Sequence, residues 1–500
     1  MLNVWHLSYR LGLLGWAAGP KLLEDNKLSG EVGVGNYGLR DQRHALEWVH
    51  HFITDFGGDV SNITLFGAST GASDILSHLN SSSNASYPLF ARAIVQSPVT
   101  DHTIPSVSLA GVHLSKVMSA LHVSNIQELR KVPVDKLVNF TSGSRTVDDG
   151  IFFKNGLSEL GVPQSHLHVP EKPTAQCIVE RRIVDRHGTH PLRASAKVIQ
   201  ILHHDALAPI PCPAVSAGTQ QPVIIGDCGY ESFVYAPEAS TWTPSAVIRR
   251  IGAICQSVKR ANALLRAYDI SAHTPDDEFP ERLLELINDA RFAWPTHLVA
   301  ESLRRSRSAP KDSSGVWRYV FDQEAPGSGI PQQATDLLYL FDTARPAFTA
   351  QSLIAAPDPD TFFPDRFDVD DDDDDVPFDN SAFEDGASSD VELPSSIDQY
   401  QYIAVRDALQ SRWLSFAYGA APWVRDKVFV FGPEGEAGER GSNIFEGRRR
   451  TEAWRTALEP LGRAIVQKIG LELGNGPSGG PQLVQRQMVL EEYQHQLFAV

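Results

Sequence analysis

The stretch TLFGASTGAS (64–73) constrains this chain more than any other. A short apolar run ends directly in Ser69, which sits between Gly67 and Gly71, and a run suited to a helix follows. G-x-S-x-G spacing belongs to a strand that turns sharply into a helix and pushes the serine hydroxyl into a cleft. A hydroxyl at its ordinary pKa is a weak nucleophile and needs a base beside it. The chemistry open to Ser69 therefore depends on what the rest of the chain can bring to it.

The surrounding sequence alternates between two periods. MLNVWHLSYRLG reads as a strand, NITLFGAS as a second and ARAIVQSP as a third. Between them, DQRHALEWVHHFITDFGG places Ala45, Trp48, Val49 and Phe52 at helical spacing, with Gly57 closing the run. Further on, PVIIG and GVWRYVFDQ read as strands. PSAVIRRIGAICQSVKRANALLRAY reads as a helical run, as do DALQSRWLSFAYG and RRRTEAWRTALEPLGRAIVQKI near the end. Strands and helices in alternation predict an α/β protein, with a mostly parallel sheet covered by helices on both faces.

Two segments break the rhythm. Residues 160–221 have no sustained period and are rich in Pro, Arg and His. Residues 343–398 are acidic and include six consecutive aspartates, Asp370 to Asp375. Like charges at that density repel, so this segment is expected to be a disordered insert. The chain is then read as one domain over 1–500, interrupted by an irregular insert and an acidic one.

Charge supports that division. The formal net charge is −17, and residues 358–398 hold 16 acidic side chains against one Arg, leaving −2 for the remainder. A near-neutral remainder carries no basic footprint for nucleic acid. The chain has no run of 18 apolar residues, so no membrane span is expected. The first residues lack a charged start, an apolar block and a cleavage site of the signal-peptide kind, which reads as cytoplasmic for the sequence as it stands. Sequons at Asn62, Asn80, Asn84 and Asn139 matter only in a secreted protein. Cys177, Cys212, Cys228 and Cys255 show no C-x-x-C spacing and leave the redox compartment open.

The serine stretch lies within a longer series of landmarks. SYRLGLLGW (8–16), GNYGLRDQRHALEWV (35–49), FGGD (56–59), TLFGASTGAS and AIVQSP (93–98) resemble the type-B carboxylesterase and cholinesterase-like family in order and rough spacing. TVDDG, IIGDCGYESF, YVFDQ, DLLYLF and RWLSFAYG continue the match, and GDCGYESF and YVFDQ are most similar to fungal members. The resemblance implies an α/β-hydrolase fold that cleaves carboxylic esters through an acyl-enzyme, with no cofactor and a small ester as its partner. It makes Ser69 the nucleophile and the amide of Thr70 an oxyanion donor. It makes Glu231, five residues after Gly226, the acid of the triad.

The family histidine lies eight residues before the Phe of the Y-L-F run. Counting back from Phe341 gives Gln333, preceded by Gln332. A glutamine amide donates and accepts hydrogen bonds but takes no proton near pH 7. After Glu231 the chain holds only His273, His297 and His495, and His297, in FAWPTHLVAESLRR, reads as a histidine packed on a helix. The family also carries strands and a glycine-rich HGGG-type oxyanion loop ahead of YRLG. This sequence has no counterpart to them, and the expectation is an N-terminally truncated member.

Other signals are weaker. His166, His168, His187, His190, His203, His204, Cys177 and Cys212 cluster in the first insert, yet no periodic scaffold would hold them around a metal, so no metal site is expected. GPEGEAGERGSN (432–443) reads as a surface connection. Two readings stay open: a serine ester hydrolase by family, or a catalytically inactive relative that binds or interacts.

Overall fold

The computed structural model describes residues 4–100, 104–140, 145–153, 221–307, 315–326, 328–343 and 399–477. The irregular insert, apart from Gln221, and the acidic insert, apart from Thr343, lie outside the described residues.

Six strands form one sheet in the order β1 to β6: Thr64–Ala68, Arg92–Gln96, Val223–Cys228, Val316–Phe321, Val428–Phe431 and Ala437–Arg440. The first five pair in parallel, and β6 runs antiparallel to β5. The helices used below are α1 (Gly12–Trp16), α2 (Tyr37–Phe52), α3 (Thr70–Leu79), α4 (Pro244–Cys255), α5 (Val258–Ala267) and α6 (Phe279–Asn288). They continue with α7 (Trp294–Ser306), α8 (Thr335–Phe341), α9 (Gln399–Ala417) and α10 (Arg463–Gly474). The expected α/β architecture, a mostly parallel sheet with helices around it, is what the chain forms.

Alternation along the strands explains why both faces are covered. Ala93, Val95, Val223, Ile225 and Val316 point to one side, where Leu46 of α2, Ala72, Ile75 and Leu76 of α3, and Val299, Ala300 and Leu303 of α7 meet them. Ile94, Ile224, Trp317, Tyr319 and Phe321 point to the other, against Val405, Leu409, Trp413 and Phe416 of α9. With period two in each strand and apolar side chains at both parities, neither face can be left in water. A third cluster, built by α4, α5, α6 and α10 around Leu264, Leu283, Ile287 and Val466, forms a helical layer away from the sheet.

Four local readings are corrected. Residues 4–11 of MLNVWHLSYRLG form no strand; they lead into α1. Their polar groups are engaged elsewhere: Tyr9 Oη donates to Asp74 Oδ2 at 3.3 Å, and the Arg10 amide and guanidinium both donate to Asp41. In α2 the buried stripe is Leu39, Gln42, Leu46, Val49 and His50, whereas Trp48 is exposed and packs on Trp5 at 5.6 Å. The helical run from Pro244 is two helices. Gln256, at φ 49°, ends the first, and the Ser257 side chain accepts from the Arg260 amide to cap the second. The surface connection at 432–443 contains β6, a polar strand that closes the sheet edge beside β5.

Candidate active site

Ser69 follows β1 directly, with φ 54° and ψ −119°, and α3 begins at the next residue. A non-glycine residue with positive φ is sterically strained, and strain of this kind clusters at functional sites. Ser97, at φ 50°, follows β2, and Ala334, at φ 67°, precedes α8; both flank the same corner. The flanking glycines do different jobs. A Cβ on Gly67 would lie 3.0 Å from the Gly71 carbonyl carbon and 3.2 Å from Ile75 Cδ1, so Gly67 lets strand and helix close on each other. A Cβ on Gly71 would meet nothing within 4 Å.

The parallel ladder runs one residue past the strand ends. The Ser69 amide donates to Gln96 O at 2.9 Å, Ser97 to Gly226 O at 2.7 Å, and Gly229 to Phe321 O at 2.9 Å. The carboxyl ends of β1 to β4 are thereby held level, the place where open α/β sheets present their sites. Thr70, first in α3, offers an amide with no acceptor inside the helix, as every first-turn N–H does.

Glu231 is fully buried just beyond β3, and its Oε1 accepts from the Cys228 amide at 2.8 Å. Burial, reinforced by the charges of Asp227 and Asp336, pushes its carboxyl up to about 8, so it is mostly protonated at pH 7. The neighbouring Ser97 hydroxyl partly offsets that rise, though neither Ser97 Oγ nor Glu231 Oε2 has a hydrogen bond of normal geometry. Asp227 is held instead by Arg318 and by Arg449, whose Nε lies 2.9 Å from Asp227 Oδ2.

Gln333 belongs to the loop between β4 and α8. Its Nε2 donates to Ser69 Oγ at 3.1 Å. Two ties fix that loop. The Tyr230 amide, next to Glu231, donates to Pro331 O at 2.9 Å. Asp336 Oδ2, in the first turn of α8, accepts from Gln96 Nε2 and from Tyr319 Oη, each at 2.8 Å. Tyr319 reaches Asp336 because its ring lies across Gly226, where a Cβ would come within 2.2 Å of the ring. Sequence reasoning missed Asp336, although its place three residues after Gln333 in an otherwise apolar run was the available signal.

The structure thus puts Ser69, Thr70 and Gln333 together and ties the Gln333 loop to the Glu231 turn. Among the described residues no histidine hydrogen-bonds to Ser69. The His297 ring packs against Trp454 and Phe445, 5.4 and 5.6 Å between ring centres, and burial pushes it down to about 4. His495 lies outside the described residues, as do the histidines and cysteines of the first insert. No group of acidic, histidine or cysteine side chains able to hold a metal occurs among the described residues. No described helix is long and apolar enough to cross a membrane.

Residues 4–153 match the carboxylesterase family model. Carboxylesterase patB of Penicillium expansum is 33% identical over 180 residues, which cover 35% of this chain and 29% of patB. Cholinesterase of Mus musculus is 43% identical over 91 residues, 18% of this chain and 13% of the relative. The chain therefore spans under a third of the length of these curated carboxylesterase-family relatives. A solved PNB esterase superposes with a TM-score of 0.51 at 16% identity, over 89% of this chain and 73% of its own, which gives the α/β-hydrolase fold. Ser69, Thr70 and the helix they open lie inside the matched segment, while Glu231 and Gln333 lie beyond it.

Proposed function

We propose that this chain is a carboxylic-ester hydrolase by descent whose serine has lost its proton acceptor, so that it binds small esters without turning them over at enzyme rates. One observation carries this reading: Gln333 Nε2 donates to Ser69 Oγ at 3.1 Å. A general base must accept the hydroxyl proton as the oxygen attacks. Here the group beside the oxygen is a donor, and its own nitrogen has no basic lone pair. The amide stabilises Oγ where it is and draws electron density from it, opposite to what attack requires.

Glu231 fits the same reading. A triad acid works by orienting a histidine and stabilising its positive charge. With glutamine in that place no positive charge develops, and burial keeps the Glu231 carboxyl mostly protonated at pH 7, without the negative charge that would stabilise one. The Thr70 amide would still receive a carbonyl oxygen, so binding outlasts turnover. This favours the inactive, binding relative over the working hydrolase, with Ser69 and Glu231 as traces of descent.

The test compares p-nitrophenyl butyrate hydrolysis by the full chain and by Ser69→Ala. Both are expected near the uncatalysed rate. Turnover at ordinary enzyme rates in the full chain, lost in Ser69→Ala, would mean that another group serves as base and would overturn the reading.

A further inference from the structure

We infer that Ser69 is a covalent acceptor for activated acyl groups, taken from aryl esters and then retained. The inference rests on the reading that Gln333 replaces the base, and it deepens that reading by separating the two halves of ester cleavage.

In the first half, Ser69 Oγ bonds to the acyl carbon and the bond from that carbon to the aryl oxygen breaks. The aryloxide leaves with the electron pair, and the serine proton passes to solvent. An aryloxide is a weak base and needs no proton to depart, so the first half, though slowed by the amide donor on Oγ and by the want of a base for the serine proton, needs no acid for its leaving group. In the second half, water must attack the acyl carbon and Ser69 Oγ must leave. Water then has no base to take its proton, and the departing serine alkoxide, a strong base, has no acid to protonate it. One replaced side chain therefore penalises the second half twice and the first half once. A histidine would serve both halves by taking the proton and then returning it.

The geometry favours retention as well. Once acylated, Oγ still has lone pairs, so the Gln333 Nε2 donor at 3.1 Å keeps a partner. The loop that carries Gln333 is held on one side by the Tyr230–Pro331 hydrogen bond and on the other by Asp336. Ser69 is 6% exposed and Gln333 beside it is half-buried, so the pair lies at the edge of solvent.

The experiment incubates the full chain with p-nitrophenyl acetate, follows p-nitrophenolate release, and measures intact mass after the ester is removed. The expected result is a slow burst of one equivalent and one acetyl group per chain, mapped by peptide sequencing to the 64–73 stretch at Ser69. That group should persist on the chain at neutral pH and leave on treatment of the unfolded chain with alkaline hydroxylamine, as a serine ester does. In Gln333→His the acetyl group should be lost about a hundredfold faster, because a positioned base and acid return to the second half. Peptide mapping of the unaltered chain decides the site even where a variant fails to fold. Absence of both turnover and adduct would overturn this inference and leave the proposed function standing. An adduct on another residue would overturn it too. Steady Ser69-dependent turnover would overturn both.

Discussion

Gln333 Nε2 lies 3.1 Å from Ser69 Oγ and donates to it, across 264 residues of sequence. The carboxyl ends of β1 and β4 each supply one of these two side chains, directly or through the loop that follows. On the proposed reading, that single contact puts an amide donor where a catalytic pair would have a proton acceptor.

Gln333→His should raise p-nitrophenyl acetate turnover by about a hundredfold or more, the usual contribution of a positioned general base. The new activity should rise with pH through the histidine pKa, whereas the unaltered chain should show no such limb between about pH 5 and 8, since an amide does not titrate there. Adding Ser69→Ala should abolish the gain. A histidine variant that is folded and no faster than the parent would show that position 333 is not where a base is needed.

Asp336→Ala should destabilise the chain. It would leave Gln96 Nε2 and Tyr319 Oη buried without their acceptor, at about 1–3 kcal/mol for each unsatisfied group. Asp336→Asn keeps an oxygen acceptor and should lose less. Urea unfolding measures the difference, and equal midpoints for the alanine variant and the parent would rule out the anchor.

Between about pH 4.5 and 8, stability should fall as pH rises. Burial raises the Glu231 carboxyl from its ordinary 4.5 to about 8. Through that window the folded state keeps a proton that the unfolded chain releases. Its contribution is complete below the unfolded value and is lost as pH climbs through the folded one. Asp289, pushed up to about 7 by burial, adds a slope of the same sign. Glu231→Gln should flatten the curve; urea midpoints taken at pH 5, 6, 7 and 8 would show whether its slope matches the parent's instead.

The two glycines flanking Ser69 should respond differently to alanine. Gly67→Ala forces β1 and α3 apart and should cost about 1–3 kcal/mol, in line with overpacking elsewhere. Gly71→Ala meets nothing within 4 Å, sits in the first turn of α3, and should be neutral or slightly stabilising. Thermal melts of the two variants decide it; similar losses for both would contradict the geometry.

The elbow was legible because its requirements are local: an apolar run, a serine, and a glycine where strand meets helix. β2, β3 and β4 were legible for the same reason, since a short apolar run between turn residues carries its own signal. The strand expected at MLNVWHLSYRLG was not borne out, because a strand also needs a partner. In this chain Tyr9 and Arg10 are committed to carboxylates on α3 and α2. Trp48 misled for a related reason: the helical period was right, but the stripe that faces the sheet is set by packing, and Gln42 and His50 lie in it while Trp48 faces solvent.

By itself the sequence determined which residue types stand at the candidate site, including a glutamine where the resemblance leads one to expect a histidine, because identity and spacing can be counted along the chain. Tertiary structure alone decided what that glutamine does. Its direction of donation, the Asp336 anchor through Gln96 and Tyr319, and the buried Glu231 carboxyl all depend on four strand ends meeting at one corner. Hydrogen-bond direction and desolvation are properties of neighbours in space, and here those neighbours are separated by up to 264 positions in the chain.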